Sequence, residues 1–339
     1  MKLRLAARRL AFSAATKGGL SKWLRQSATK SVTTLLFHRF FDPGEPKNRG
    51  LDRLRRQLEW LRTQYTPLSL SQFTRALQTG AIPDRSLLLT CDDGLIQLKD
   101  VVDEFKAFEM PMAVFVCAGW SAVSSRGTGH DLLARAAAAI QWYEGPDTEI
   151  GFGRGRSLAL SPSTKASNID FLIAEKEALL PDLPEFCAKI ESLNSRPRQC
   201  CTWSELRDLQ SAGFEMGAHS VTHVWMSTTS DLRRQFEIHE SKRVCEALLG
   251  RCESFAYPFG MKETQSEATK QELIRAGYQT AFLTHSEFTT ATNDPYRLPR
   301  ISMPDGSIPF PEFQARASGV GVLVRTLKMM GRTDQRRGA

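Results

Sequence analysis

No apolar run in this 339-residue chain approaches the roughly 20 residues that a helix needs to cross a bilayer. None of the seven cysteines stands in CxxC spacing, and Cys200 and Cys201 are adjacent, which disfavours a bridge between them. The odd count and irregular spacing exclude a thiolate zinc ribbon and point to free thiols in a reducing compartment. No glycine-rich phosphate loop follows any predicted strand, which argues against nucleotide binding. Acidic residues are missing from the whole N-terminus, the first being Asp42. Residues 1–30 instead hold eight basic residues, Lys2, Arg4, Arg8, Arg9, Lys17, Lys22, Arg25 and Lys30. The remaining chain balances 37 Lys/Arg against 37 Asp/Glu, so its body is neutral and gives nucleic-acid binding no electrostatic footing. The leader also carries Leu3, Leu5, Leu10, Phe12, Leu20, Trp23 and Leu24. Two readings of it stand: an interfacial helix in peripheral contact with an anionic membrane, or a solvated, partly disordered tail. Arg, Lys and Ser break its apolar stretches before they form the core of a secretory signal. These cues place the chain in the cytoplasm, with the inner face of the membrane as the alternative.

What is present is alternation. Strand-like runs are expected at Ser31–Phe37, Thr66–Leu70, Leu87–Cys91, Met112–Cys117, Phe214–Ala218, Ser254–Tyr257, Tyr278–Leu283 and Leu298–Ser302. Helical spacing separates them: Leu51–Gln64 with Asp52 in its first turn, a helix from Gln72 capped by Ser71, and Leu95–Phe108. A helix opened by the Thr202/Glu205 capping box follows, then Leu232–Leu249 and Gln271–Ala276. The alternation lapses over residues 119–198, expected to be a helical insertion on one rim. Residues 31–310 form the barrel domain in this reading, and residues 311–339 a C-terminal helix, around Val320–Met330, and tail. Repeated strand–helix units imply a parallel α/β sheet. His38, Asp92, Asp93, His219, Tyr257, His285 and Arg300 all fall at or just beyond strand C-termini. That placement favours a (β/α) barrel, whose chemistry gathers at that rim, over an open sheet with one switch point.

Two stretches carry the chemistry. Leu87–Leu89 leads into Thr90-Cys91-Asp92-Asp93-Gly94, and Gly217-Ala218 into His219-Ser220-Val221-Thr222-His223. One carboxylate and two imidazoles make a three-ligand set that leaves a divalent metal open to water and substrate. The second carboxylate is then available as a base. Each stretch alone has a plainer account, a strand-end turn for Asp-Asp-Gly and two surface histidines for His-x-x-x-His. Together each supplies what the other lacks. Zinc suits the donor set, with cobalt, nickel or manganese also admitted.

These two motifs, followed by Phe255-Ala256-Tyr257-Pro258-Phe259-Gly260, resemble the polysaccharide deacetylases, the NodB-homology carbohydrate esterases, over roughly residues 31–305. The resemblance implies a distorted (β/α) barrel, metal ligation by Asp93, His219 and His223, and Asp92 as the base. It implies that Tyr257, Pro258 and Phe259 shape the pocket and its oxyanion hole. The opening Leu35-Leu36-Phe37-His38-Arg39 is similar to the permuted biofilm N-acetylglucosamine-polymer deacetylases, which implies His38 as the acid; His285 is the competing candidate. This chain departs from the family pattern at Cys91, where an aromatic residue is usual, leaving open a reactive thiol. It departs again at Ala256, where many members have an arginine that orients the base; Arg300 is the candidate replacement. The implied activity is metal-dependent removal of N-acetyl groups from an acetylated polysaccharide or its lipid-linked precursor, releasing acetate. O-acetyl ester hydrolysis, or a carbohydrate-binding relative with a structural metal, are the alternatives.

Overall fold

The computed structural model describes residues 12–326 apart from 13, 17, 127–128, 154 and 194–197. Its frame is a sheet whose strands run β1 (Ser31–Phe37), β3 (Ser86–Asp92), β4 (Ala113–Val116), β7 (Glu215–Ala218), β8 (Ser254–Ala256) and β9 (Thr280–Phe282), each parallel to the next. The short β2 (Thr66–Leu68) adds to β3 and the two-residue β10 (Thr289–Thr290) runs antiparallel to β1. The sheet curls until its ends meet across one segment. Leu298 bridges Phe282 of β9, and three residues later β11 (Ile301–Ser302) pairs with Leu35 and Leu36 of β1. The curl gives the distorted (β/α) barrel architecture that the strand–helix alternation predicts.

Alternation along the strands sorts side chains into two clusters. Val32, Leu88, Ala113, Phe115, Ala256, Phe282 and Leu298 form one, joined by Leu68, Leu70, Phe73 and Ala76 from β2 and the helix Leu70–Thr79. Their neighbours one position along, including Leu35, Phe37, Leu87, Leu89, Val114 and Val116, join the larger cluster shared with the outer helices. Successive strand residues point to opposite faces, so strands buried on both sides are largely apolar, and every residue of β1, β3 and β4 is buried, the polar Ser31, Thr33, Thr34, Ser86, Thr90 and Asp92 included. Each fully buried Leu, Val or Phe contributes about 1.5–3 kcal/mol.

Several local expectations change. Ser69, not Ser71, caps the helix Leu70–Thr79, because Gln72 completes a capping box with it; Ser71 instead bonds Glu215. The helix expected at Leu51–Gln64 begins at Lys47, a turn earlier, which removes Asp52 from its first turn. Thr202 and Glu205 form their expected box. The predicted helix Leu232–Leu249 is three pieces, with π-helical Phe236–Glu240 between Asp231–Gln235 and Ser241–Leu249. Between β4 and β7 lie the helices Ala118–Ser125, Leu132–Trp142, Lys165–Ala174, Lys176–Leu179 and Leu183–Ser192, and an antiparallel hairpin of β5 (Thr148–Phe152) and β6 (Arg156–Leu160) that helical spacing did not announce. Within the leader, the helix Leu20–Ser27 lies against the C-terminal helix Phe310–Ala317: Leu24 packs with Ala315 and Val320, and Arg25 bonds Ser318 and Gln64. Residues 320–326 are helical, while residues 1–11 and 327–339, including the end of the helix expected near Met330, lie outside the described residues. Among the described residues no helix is long and apolar enough to cross a membrane.

Candidate active site

Strand register assembles the site. Phe37 is opposite Cys91, so the next residues out, His38 and Asp92, leave neighbouring strands at one level. Val116 is opposite Ala218, and Ala218 opposite Phe255, which carries His219 and the Tyr257–Gly260 turn to the same rim. There Asp93 Oδ1 lies 3.6 Å from His219 Nε2 and 3.6 Å from His223 Nε2. One donor atom from each of these three residues falls within 4.8 Å of the others. Burial keeps both imidazoles below their ordinary pKa, His223 down to about 4, so the close approaches are not ion pairs at neutral pH. His219 Nδ1 donates to the Ala256 carbonyl at 2.7 Å, which turns its Nε2 lone pair toward Asp93. Asp93 Oδ1 itself is buried without a hydrogen-bond partner. An orphaned carboxylate oxygen facing two imidazole lone pairs is a donor set with nothing to share, and a divalent cation fits it.

Asp92 has a different environment. Burial would raise its pKa, but the charge of Arg300, then that of His219, and the bonds from Arg300 outweigh it and hold Asp92 down to about 2. The fully buried guanidinium forks onto it, Nη1 to Oδ1 at 2.7 Å and Nη2 to Oδ2 at 2.8 Å, while Nε donates to the Leu283 carbonyl. The same guanidinium lies over the rings of Phe115 and Phe282. Burial raises the pKa of the neighbouring Asp93 despite the opposing charge of His223. The pKa values of two adjacent carboxyl groups are thus pushed in opposite directions by their surroundings. His38, part exposed, lies 3.9 Å from Asp305. His285, lowered by burial, feels Glu287, Lys262 and Arg325 instead. Strand register sets His38 beside Asp92, while His285 lies beyond β9 with its carbonyl accepting from Arg300 N.

The remaining expected residues divide. Phe259 is 49% exposed and its ring meets His223 edge-on at 4.7 Å, with Trp225 beside it and Trp120 stacked on the other side of His223. Pro258 is buried in the turn. Tyr257 is not brought to the pocket by its side chain, which is buried and donates to the Tyr296 carbonyl, and its amide is already bonded to Phe282. Cys91 is fully buried, and burial, then the charges of Asp92 and Asp93, push its thiol well above the ordinary value, which removes the reactive-thiol reading. Backbone strain concentrates here. Of the eight non-glycine residues with positive φ among the described residues, Asp93, Ser220, His223 and Phe259 all belong to the three motifs. Glu237, Arg233 and the ring of Trp120 went unnoticed in the sequence; the Arg-x-x-x-Glu spacing was visible but is indistinguishable from a surface helix pair. A hollow of about 630 Å³ lies beyond β1, lined by Asp42, Glu45, Arg49, Arg53, Ser307 and Pro309 among others, and none of the ligand set borders it.

A family model for polysaccharide deacetylases matches residues 79–281, more than half of the chain, a span that includes Asp92, Asp93, His219 and His223 but neither His38 nor Arg300. The Streptococcus pyogenes deacetylase PplD, solved in complex with acetate, aligns with a TM-score of 0.53 at 17% identity over 80% of this chain and 92% of its own. IcaB from Ammonifex degensii aligns at 0.52 and 15% identity, over 85% of this chain and 97% of its own. The BpsB deacetylase domain from Bordetella bronchiseptica aligns at 0.51 and 16%, over 82% and 97%. At such identities the likeness is one of fold. No curated protein matches the sequence.

Proposed function

Because this chain belongs to the polysaccharide deacetylase family, we propose that it hydrolyses N-acetyl groups on a glycan with a divalent metal, most simply zinc, held by Asp93, His219 and His223. The observation that carries this reading is the orphaned Asp93 oxygen facing two neutral imidazoles beside a separately ionised Asp92. A divalent ion in such a site polarises a carbonyl and offsets negative charge growing on its oxygen. Asp92, ionised and pinned by Arg300, takes a proton from the attacking water. The water oxygen joins the acetyl carbon, and the carbon–nitrogen bond breaks as His38 delivers a proton to the departing nitrogen. Acetate and a free amine result. The exposed ring of Phe259, with the half-buried ring of Trp225 beside it, offers surface on the His223 side for the face of a sugar.

Metal content after zinc loading tests the reading. The wild type should hold about one metal per chain and His219→Ala almost none, followed by acetate release from N-acetylated glucosamine oligomers by the wild type alone. A wild type that holds no metal would remove the mechanism. The two histidines separate in the same assay: His38→Gln should keep its metal and lose at least about tenfold in turnover, whereas His285→Gln should stay near wild type. The reverse pattern would move the acid to His285.

A further inference from the structure

The loop that carries both histidine ligands is held from two sides. From the barrel side, His219 N donates to the Val116 carbonyl, and Ala118 N and Gly119 N donate to the carbonyls of Ser220 and Val221. Only glycine permits that approach: a Cβ at Gly119 would come within 2.6 Å of the Val221 oxygen. On the opposite side the loop's own amides need acceptors, and one carboxylate supplies them. Glu237, wholly buried, accepts from Val221 N and Thr222 N at 2.8 Å each through Oε2, and from the Thr222 hydroxyl through Oε1. Arg233, one turn earlier and also buried, donates Nε to Glu237 at 2.7 Å and Nη2 to the Thr222 hydroxyl at 2.8 Å. Its remaining nitrogen faces Asp170, 3.8 Å away on the helix Lys165–Ala174.

Burying a carboxylate and a guanidinium is a poor way to gain stability, since apolar side chains of similar volume do as well or better. The pair makes sense where position matters more than stability. Ser220 and His223 have φ of 64° and 57°, so the loop between the ligands is strained and relaxes unless its amides are fixed. Glu237 belongs to the π-helical turn, and the extra residue of such a turn re-aims the side chains that follow it.

We propose that Glu237 is a positioning residue for the metal centre, holding the Val221–Thr222 backbone so that His219 and His223 converge on Asp93, with Arg233 as the hydrogen-bonded partner that keeps its carboxylate aimed. This rests on the metal reading above. Glu237→Gln presents an N–H where Thr222 or Arg233 also brings one, so the loop loses at least one anchor while the ligands stay intact.

The test is zinc affinity by chelator competition, together with the visible spectrum of the cobalt-loaded protein, on the full chain. Glu237→Gln should bind zinc about 10–100-fold more weakly and alter the cobalt bands. The double variant Arg233→Met, Glu237→Gln removes the stranded guanidinium and guards against loss of the fold, with circular dichroism as the check. It should fold and still bind about tenfold or more weakly. Wild-type affinity with unchanged cobalt bands in either folded variant would overturn the proposal while leaving the metal reading intact. A wild type that binds neither ion would overturn both.

Discussion

Asp92→Asn should retain its metal and lose about 10²–10⁴-fold in turnover, the usual worth of a positioned base. The amide keeps the carboxylate's shape but cannot take a proton at neutral pH. A second effect accompanies the first: Arg300 is wholly buried and Asp92 is its counter-ion, so the variant leaves a guanidinium without compensating charge. Breaking a buried pair in this way costs about 3–5 kcal/mol. Turnover therefore has to be compared below the melting temperature of the variant, with metal content measured on the same sample. Full metal occupancy with near-wild-type turnover would remove Asp92 as the base.

Arg300→Met should change the charge on Asp92 without touching it. With the guanidinium gone, burial dominates and the carboxyl rises from about 2 to above its ordinary value. The sign of the linkage follows. In the wild type the folded pKa is depressed, so the ionised carboxylate contributes stability above the ordinary carboxylate pKa and loses it as pH falls through about 2. In the variant the neutral form is preferred, so activity should fall off from the acid side at a higher pH than in the wild type, while the fold loses about 3–5 kcal/mol at neutral pH. Asp92→Asn placed on the Arg300→Met background should cost less stability than it does alone, because no charge is left stranded. Thermal unfolding of the four proteins and pH–rate profiles of the two that keep Asp92 measure both effects. Superimposable pH profiles would mean that Arg300 does not set the charge of the base.

The barrel was legible in the sequence because strands buried on both faces are largely apolar, and Leu87–Cys91, with Thr90 its one polar residue, and Met112–Cys117 are. The rim was legible because polar residues ending such strands have few reasons to be there. Arg300 was readable only as a candidate, since its pairing with Asp92 spans 208 positions and no local pattern encodes it. The hairpin of β5 and β6 escaped notice because Thr148–Phe152 and Arg156–Leu160 are short and flank a glycine-rich turn inside a helical region. Tyr257 looked like a pocket residue by its place in the motif, yet strand alternation turns its ring into the core. Glu237 could not be read at all: whether a glutamate on a helix meets water or a strained loop depends on what packs against it.

The segment that closes the sheet has a consequence for how the protein is made. A ribosome releases Asp92, Asp93, His219 and His223 long before Leu298–Ser302 leaves the exit tunnel, so the nascent chain carries all four residues before Arg300 can reach Asp92. Until that segment arrives the sheet is open and Asp92 has only water for a partner; closing it joins residues 208 positions apart, the kind of contact that costs most in loop entropy. A chain truncated before Leu298 would carry Asp92, Asp93, His219 and His223 but not the guanidinium that pairs with Asp92.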